Sequence, residues 1–144
     1  MTIAKLLLVD DEAAFLDAMA RRLKKRDFEI FTATSGMDAM ELLSKEGEHV
    51  EVVILDVKMP GMDGIETLAE IKRKFPLVEV VMLTGHATVP SAIDGMKQGA
   101  FDYLMKPCDM DVLVTKVGEA AAKKRRHEEK IIEARMQEII TRRA

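Results

Sequence analysis

Apolar and polar positions alternate in blocks along the chain. Residues 3–9 form a near-continuous apolar run, closed by Asp10, Asp11 and Glu12. Such runs predict strands covered on both faces of a parallel sheet. Phe15, Met19 and Leu23 then recur at every fourth residue among Arg and Lys, the spacing of an amphipathic helix. Residues 29–33 predict a second strand. Ser35 stands where an N-cap belongs, before a helix whose apolar face is drawn by Met37, Met40, Leu42 and Leu43.

The alternation repeats three more times. Residues 50–56 predict the third strand, followed by turn signals at Pro60-Gly61 and Asp63-Gly64. Ile65, Leu68, Ile71 and Phe75 mark a third helix, and residues 78–84 a fourth strand. A weaker helix covers residues 89–98, with Gly99 suited to follow its C-terminus. Residues 101–105 predict the fifth strand, and Asp109 or Asp111 can open the last helix. Five strand–helix units in about 120 residues imply an α/β fold with a doubly wound parallel sheet.

Ligands of such sheets bind beyond the carboxyl ends of the strands. Those ends carry Asp10-Asp11, Asp56, Thr84 and Lys106. Converging carboxylates repel unless a cation joins them. Mg²⁺ takes oxygen ligands and suffices with one or two carboxylates plus phosphate oxygens. A carboxylate can attack phosphorus to give an aspartyl phosphate. Lys106 and Thr84 supply a cation and a hydroxyl donor for the transferred group. Read singly, Asp10 and Asp11 also fit a helix cap, and Asp56 also fits a turn. Their coincidence at successive strand ends favours a metal-assisted phosphoryl site.

Four segments carry a family resemblance: LLVDD at 7–11, ILDVKMPGMDG at 54–64, LTG at 83–85 and YLMKP at 103–107. In order and spacing they resemble the signature segments of response-regulator receivers of two-component systems, over residues 3–122. The resemblance implies a flavodoxin-like sheet of five strands in order 2-1-3-4-5, flanked by five helices. It implies phosphoryl transfer from a sensor histidine kinase or phosphotransfer protein to Asp56. A cytoplasmic setting is the default expectation for one Cys, a start without signal-peptide features and no bilayer-length apolar run. The resemblance also implies Mg²⁺ (or Mn²⁺) held by Asp11, Asp56 and the backbone carbonyl of Lys58, with Asp10 assisting. Lys106 becomes the phosphate contact, Thr84 and Tyr103 a switch pair, and Lys106-Pro107 a cis bond. Lys58 and His86 would overhang the site and tune the phosphate's lifetime, His86 as a rim residue rather than a transfer catalyst. The signal would leave through the face of the fourth helix, fifth strand and fifth helix, towards a downstream effector or a second copy.

Composition changes the picture mainly at the C-terminus. The net charge is −3, but residues 123–144 hold 8 of the 22 Lys/Arg and 4 of the 25 Asp/Glu. The tail is thus about +4, and residues 1–122 (14 against 21) about −7. This divides the chain into a receiver, 1–122, and a basic helical extension or linker, 123–144. From Met110 to Arg143 only Gly118 opposes a continuous helix, which would reach about 50 Å. The run at 123–130 reads as fully solvated, and Ile132, Met136 and Ile139, flanked by Ile131 and Ile140, as an apolar stripe. Three readings of the tail stay open: a frayed extension, a pairing or partner-docking helix, and a nucleic-acid contact. The last is not favoured, since no DNA-binding motif accompanies the basic run. A single Cys gives no disulfide framework, and no apolar run is long enough to span a bilayer.

Two rival functions remain. An aspartate-nucleophile phosphatase would need an acid two residues after Asp56, and that position is Lys58. The reading is therefore a non-enzymatic phosphoacceptor. Alternatively, the chain is the N-terminal receiver of a longer DNA-binding transcriptional regulator, with the tail as its linker.

Overall fold

A computed structural model describes residues 2–47 and 49–143. Met1 and Glu48, in the expected 1–122 domain, and Ala144, in the expected extension, lie outside the described residues. The elements run β1 (Lys5–Val9), α1 (Ala13–Lys24), β2 (Glu29–Ala33), α2 (Gly36–Glu46), β3 (Val52–Leu55), α3 (Gly64–Lys74), β4 (Glu79–Thr84), α4 (Val89–Lys97), β5 (Asp102–Met105) and α5 (Met110–Arg143). The five strands form one parallel sheet in the order β2-β1-β3-β4-β5. The fold and its strand order are those expected.

Strand residues point alternately to the two faces, so an apolar run feeds two cores at once. Leu6, Leu8, Val52, Ile54, Val81 and Leu83 pack under α1 and α5, with Leu16, Leu23, Leu113 and Val117. Leu7, Val9, Val53, Leu55, Val80 and Met82 face α2 and α3, with Leu43, Leu68 and Ile71. Each fully buried Leu contributes roughly 1.5–3 kcal/mol. The central strands β3 and β4 are buried throughout, which explains why they carry no alternation.

The caps follow the sequence closely. Ser35 accepts from Asp38 N, and Asp63 accepts from Glu66 N at 2.9 Å. Gly99 follows α4 with φ +100 and donates to Met96 O. Asp109 opens α5, its carboxylate accepting from Asp111 N at 2.8 Å. The first helix has Glu12 at its N-cap and no side-chain cap, so the alternative reading of Asp10 or Asp11 as its cap does not hold. Asp10 lies outside that helix and accepts from Glu12 N at 2.9 Å. Met37 is 71% exposed, so it does not belong to the buried face of α2, whose core side is set by Ala39 and Leu43.

The reading of residues 123–130 as fully solvated is corrected. Lys124 is buried, and Lys123 stands 3.3 Å from Glu79 Oε2. Arg125 forms a two-pronged pair with Glu51, at 2.7 and 3.0 Å, and donates to Ile3 O. Acidic residues at the starts of β3 and β4 therefore draw the basic run onto the body. Beyond Glu128 the helix is exposed, and Ile132, Met136, Ile139 and Ile140 lie open on it.

Candidate functional site

Parallel register brings the strand ends to one edge. Val9 pairs with Leu55, and Thr84 with Met105, so Asp10, Asp56, Thr84 and Lys106 emerge side by side. Backbone bonds fix this edge: Asp10 N to Ala33 O, Asp56 N to Val9 O, and Lys106 N to Thr84 O. The Lys106-Pro107 peptide is cis, as the resemblance implied.

Asp10 and Asp56 are 2% and 3% exposed, while Asp11 faces solvent. One carboxylate oxygen from each of Asp10, Asp11 and Asp56 lies within 4.8 Å of the others. Lys106 Nζ reaches into this group, 2.5 Å from Asp10 Oδ2 and 3.9 Å from Asp56 Oδ2. Its position is fixed from behind, because the ammonium sits 3.8 Å from the centroid of the Phe15 ring. Asp56 Oδ1 accepts from Val57 N at 2.8 Å, leaving Oδ2 as the oxygen turned towards the lysine.

Three carboxylates against one ammonium leave an excess of negative charge in a largely buried place. The donor set is all oxygen, which matches a hard divalent cation such as Mg²⁺. The residues therefore fit such an ion. Above them opens a cleft of about 470 Å³ lined by Asp11, Glu12, Asp56, Lys58, Met59, Pro60 and His86. Lys58 and His86 thus stand on the rim where the sequence put them. A larger cleft, about 700 Å³, lies near Leu43, Phe75 and Lys124. It is away from the strand ends and gathers none of this cluster.

Thr84 is fully buried, and its Oγ1 accepts from His86 N at 3.0 Å. Tyr103 is half-buried on β5, with its hydroxyl 2.7 Å from Ser91 Oγ on α4. Three further participants had escaped the sequence reading. Phe15 was assigned only to a helix face. Ser91 carried no motif. Gly64 was read as a turn glycine, yet it packs directly on the backbone of Asp56 and Val57, and its N–H donates to Val57 O at 2.7 Å. The segment from Asp56 to Gly64 closes on itself, which is a reason for glycine there.

Comparison with known proteins agrees with this geometry. The family described as "Response regulator receiver domain" matches residues 6–118. The transcriptional regulatory protein GlrR of Escherichia coli strain K12 is 38% identical over 117 residues, 81% of this chain and 26% of that protein. The chain spans about a quarter of the length of the curated relatives it matches. Among solved structures, a receiver domain from Clostridium thermocellum superposes with a TM-score of 0.81 at 36% identity, covering 85% of this chain and 97% of that one. The CheX–CheY–BeF₃–Mg²⁺ complex from Borrelia burgdorferi matches with a TM-score of 0.75 at 26% identity, covering 79% and 86%.

Proposed function

The chain belongs to the response regulator receiver family, and from that premise we propose that it accepts a phosphoryl group on Asp56 and reports it through a conformational switch. The observation that carries this reading is Lys106 set between Asp10 and Asp56 at the mouth of a carboxylate cluster. Asp56 Oδ2 attacks phosphorus, forming the acyl-phosphate bond as the bond to the donor's leaving group breaks. Lys106 contacts the transferred group, and Thr84 donates its hydroxyl to it. Asp11, Asp56 and the Lys58 carbonyl, with Asp10, would hold Mg²⁺ or Mn²⁺, which would neutralise charge on that group. The donors are a sensor histidine kinase or phosphotransfer protein. Lys58 and His86, on the rim of the cleft, tune access of water to the phosphate.

Two negative charges added at Asp56 give Thr84 and Lys106 new contacts. Tyr103 follows Thr84, changing the face of α4, β5 and α5 that meets an effector or a second copy. Exposed Val89, Ile93, Met96 and Met105 support an apolar partner there. Residues 1–122 act as the receiver and 123–144 as an extension or linker.

The test is incubation with Mg²⁺ and acetyl phosphate, followed by intact mass measurement. The expected product is one hydroxylamine-labile phosphoryl group that does not form when Mg²⁺ is chelated beforehand and is absent in Asp56→Asn. Undiminished labelling of Asp56→Asn would refute the assignment. A second reading, the receiver portion of a longer DNA-binding regulator, is supported by relatives named as transcriptional regulators that this chain covers by only about a quarter. The reading frame in its genome decides it. Solution mass with and without beryllofluoride separates a switch-face dimer, which needs the phosphate mimic, from a tail dimer, which does not.

A further inference from the structure

We propose that Ser91 and Gly95 of α4 form a seat that holds Tyr103 in its resting position, so that Ser91 sets the switching equilibrium. This rests on the reading of Tyr103 as a switch residue.

The argument begins with hydrogen-bond capacity. A serine hydroxyl has one proton and two lone pairs. Ser91 Oγ accepts from Thr88 N at 3.1 Å, and it lies 3.0 Å from Thr88 O, 3.0 Å from Thr88 Oγ1 and 2.7 Å from the Tyr103 hydroxyl. Ser91 can donate to the Thr88 carbonyl while accepting from Thr88 N–H and Tyr103, or donate to Tyr103 while accepting from Thr88 N–H and Thr88 Oγ1. In either arrangement Ser91 is saturated and the Tyr103 bond is kept, and Thr88 Oγ1 accepts from Ser91 N at 3.1 Å. Tyr103 is thereby tied to the capping box that Thr88 and Ser91 form at the start of α4.

A second observation places the ring. One turn along the same face, a Cβ on Gly95 would meet Tyr103 Cδ2 at 3.4 Å and Cε2 at 3.6 Å. Gly95 is the buried residue of α4. The tyrosine thus lies across a slot of two small residues, with its ring on Gly95 and its hydroxyl on Ser91. Any movement of Tyr103 off α4 must first give up this bond. Ser91 is a positioning residue that acts through Tyr103 and touches neither Asp56 nor a phosphoryl group.

Loss of one net hydrogen bond from the resting state favours the switched state by roughly threefold to tenfold. Where the switched state is scarce, apparent affinity for a ligand that selects it rises by the same factor. The probe is beryllofluoride with Mg²⁺, titrated by the fluorine NMR signal of the bound species. The sole tyrosine, ring-labelled with carbon-13, reports where Tyr103 is. The variants are Ser91→Ala, Tyr103→Phe, their double, and Thr88→Ala, which removes the cap without touching the tyrosine bond.

Ser91→Ala and Tyr103→Phe should each tighten beryllofluoride by about three- to tenfold, and the double should add nothing to either. Thr88→Ala should lower the melting temperature without that gain in affinity. Equal and independent effects of Ser91→Ala in the wild-type and Tyr103→Phe backgrounds would overturn the seat while leaving the switch intact, as would no effect at all. A tyrosine signal in the wild type that ignores beryllofluoride would overturn both.

Discussion

Gly64→Ala tests how rigidly the phosphoacceptor loop is built. An added Cβ would stand 2.6 Å from Val57 Cα and 2.8 Å from Asp56 C, and nearer still to the Asp56 carbonyl oxygen. These are backbone atoms, so no side chain can swing aside. The Asp56–Val57 segment or the first turn of α3 must move by about an ångström. Overpacking of this kind costs roughly 1–3 kcal/mol. Weakening the Gly64 N to Val57 O bond adds about 1 kcal/mol. The smaller conformational freedom of alanine in the unfolded chain offsets roughly 0.4–1 kcal/mol. The net loss is about 2 kcal/mol, or about 6 °C in melting temperature for a chain of this length. An ångström of displacement at Asp56 should also slow labelling by acetyl phosphate by about tenfold to a hundredfold. Calorimetry and timed intact-mass measurements read the two effects. Gly85→Ala is the control, since nothing lies within 4 Å of its added Cβ, and it should change stability by less than about 0.5 kcal/mol. A Gly64→Ala protein that melts within about 1 °C of wild type and labels at the wild-type rate would refute the reasoning.

Glu79 is 2% exposed and flanked by Lys72 at 3.1 Å and Lys123 at 3.3 Å. Its Oε2 makes no well-formed hydrogen bond, so Lys123 contributes chiefly by charge. Because both lysines can turn to water, Glu79→Ala should cost about 2 kcal/mol in urea denaturation rather than the 3–5 of a fully enclosed pair. An unchanged midpoint would refute it. The Glu51 carboxylate holds the Arg125 guanidinium above its usual pKa. Arg125→Lys cannot restore the two-pronged geometry, so amide exchange around residues 122–128 should quicken about as much as in Arg125→Ala. Full protection in the lysine variant would count against that geometry. Burial, then the charge of Asp109, pushes the Cys108 thiol up. Its neutral form is favoured in the folded state. That stability is complete below the unfolded thiol's pKa and is lost as pH rises through the folded one. Iodoacetamide should therefore react with Cys108 more slowly than with an unstructured peptide near the thiol's ordinary pKa, and equal rates would refute this.

The sequence made Asp10, Asp11, Asp56, Thr84 and Lys106 legible because each follows or ends an apolar run, and strand ends of a parallel sheet share an edge. What it hid were contacts made by topology alone. Phe15 beneath Lys106 and Ser91 beneath Tyr103 join separate elements, and neither Phe15 nor Ser91 stands out in the sequence by itself. The basic run beginning at Lys123 was misread because its partners, Glu51 and Glu79, lie at strand starts. One signal was present: Glu79 interrupts an otherwise apolar run from Val78 to Leu83, and a carboxylate there needs a cation.

The 34-residue helix α5 is held to the body through Lys123 and Arg125 and is exposed beyond Glu128 as far as Arg143. About 15 residues, or roughly 22 Å, therefore project as an arm from a fixed root. Such an arm has mechanical gain. A tilt of about 5° at the root, too small to disturb the packing of Leu113 or Val117, sweeps the tip through about 2 Å, enough to bring the isoleucine stripe into or out of register with whatever it meets. The ion pairs at Lys123 and Arg125 lie at the root of this arm, so weakening either would loosen its anchorage on the body.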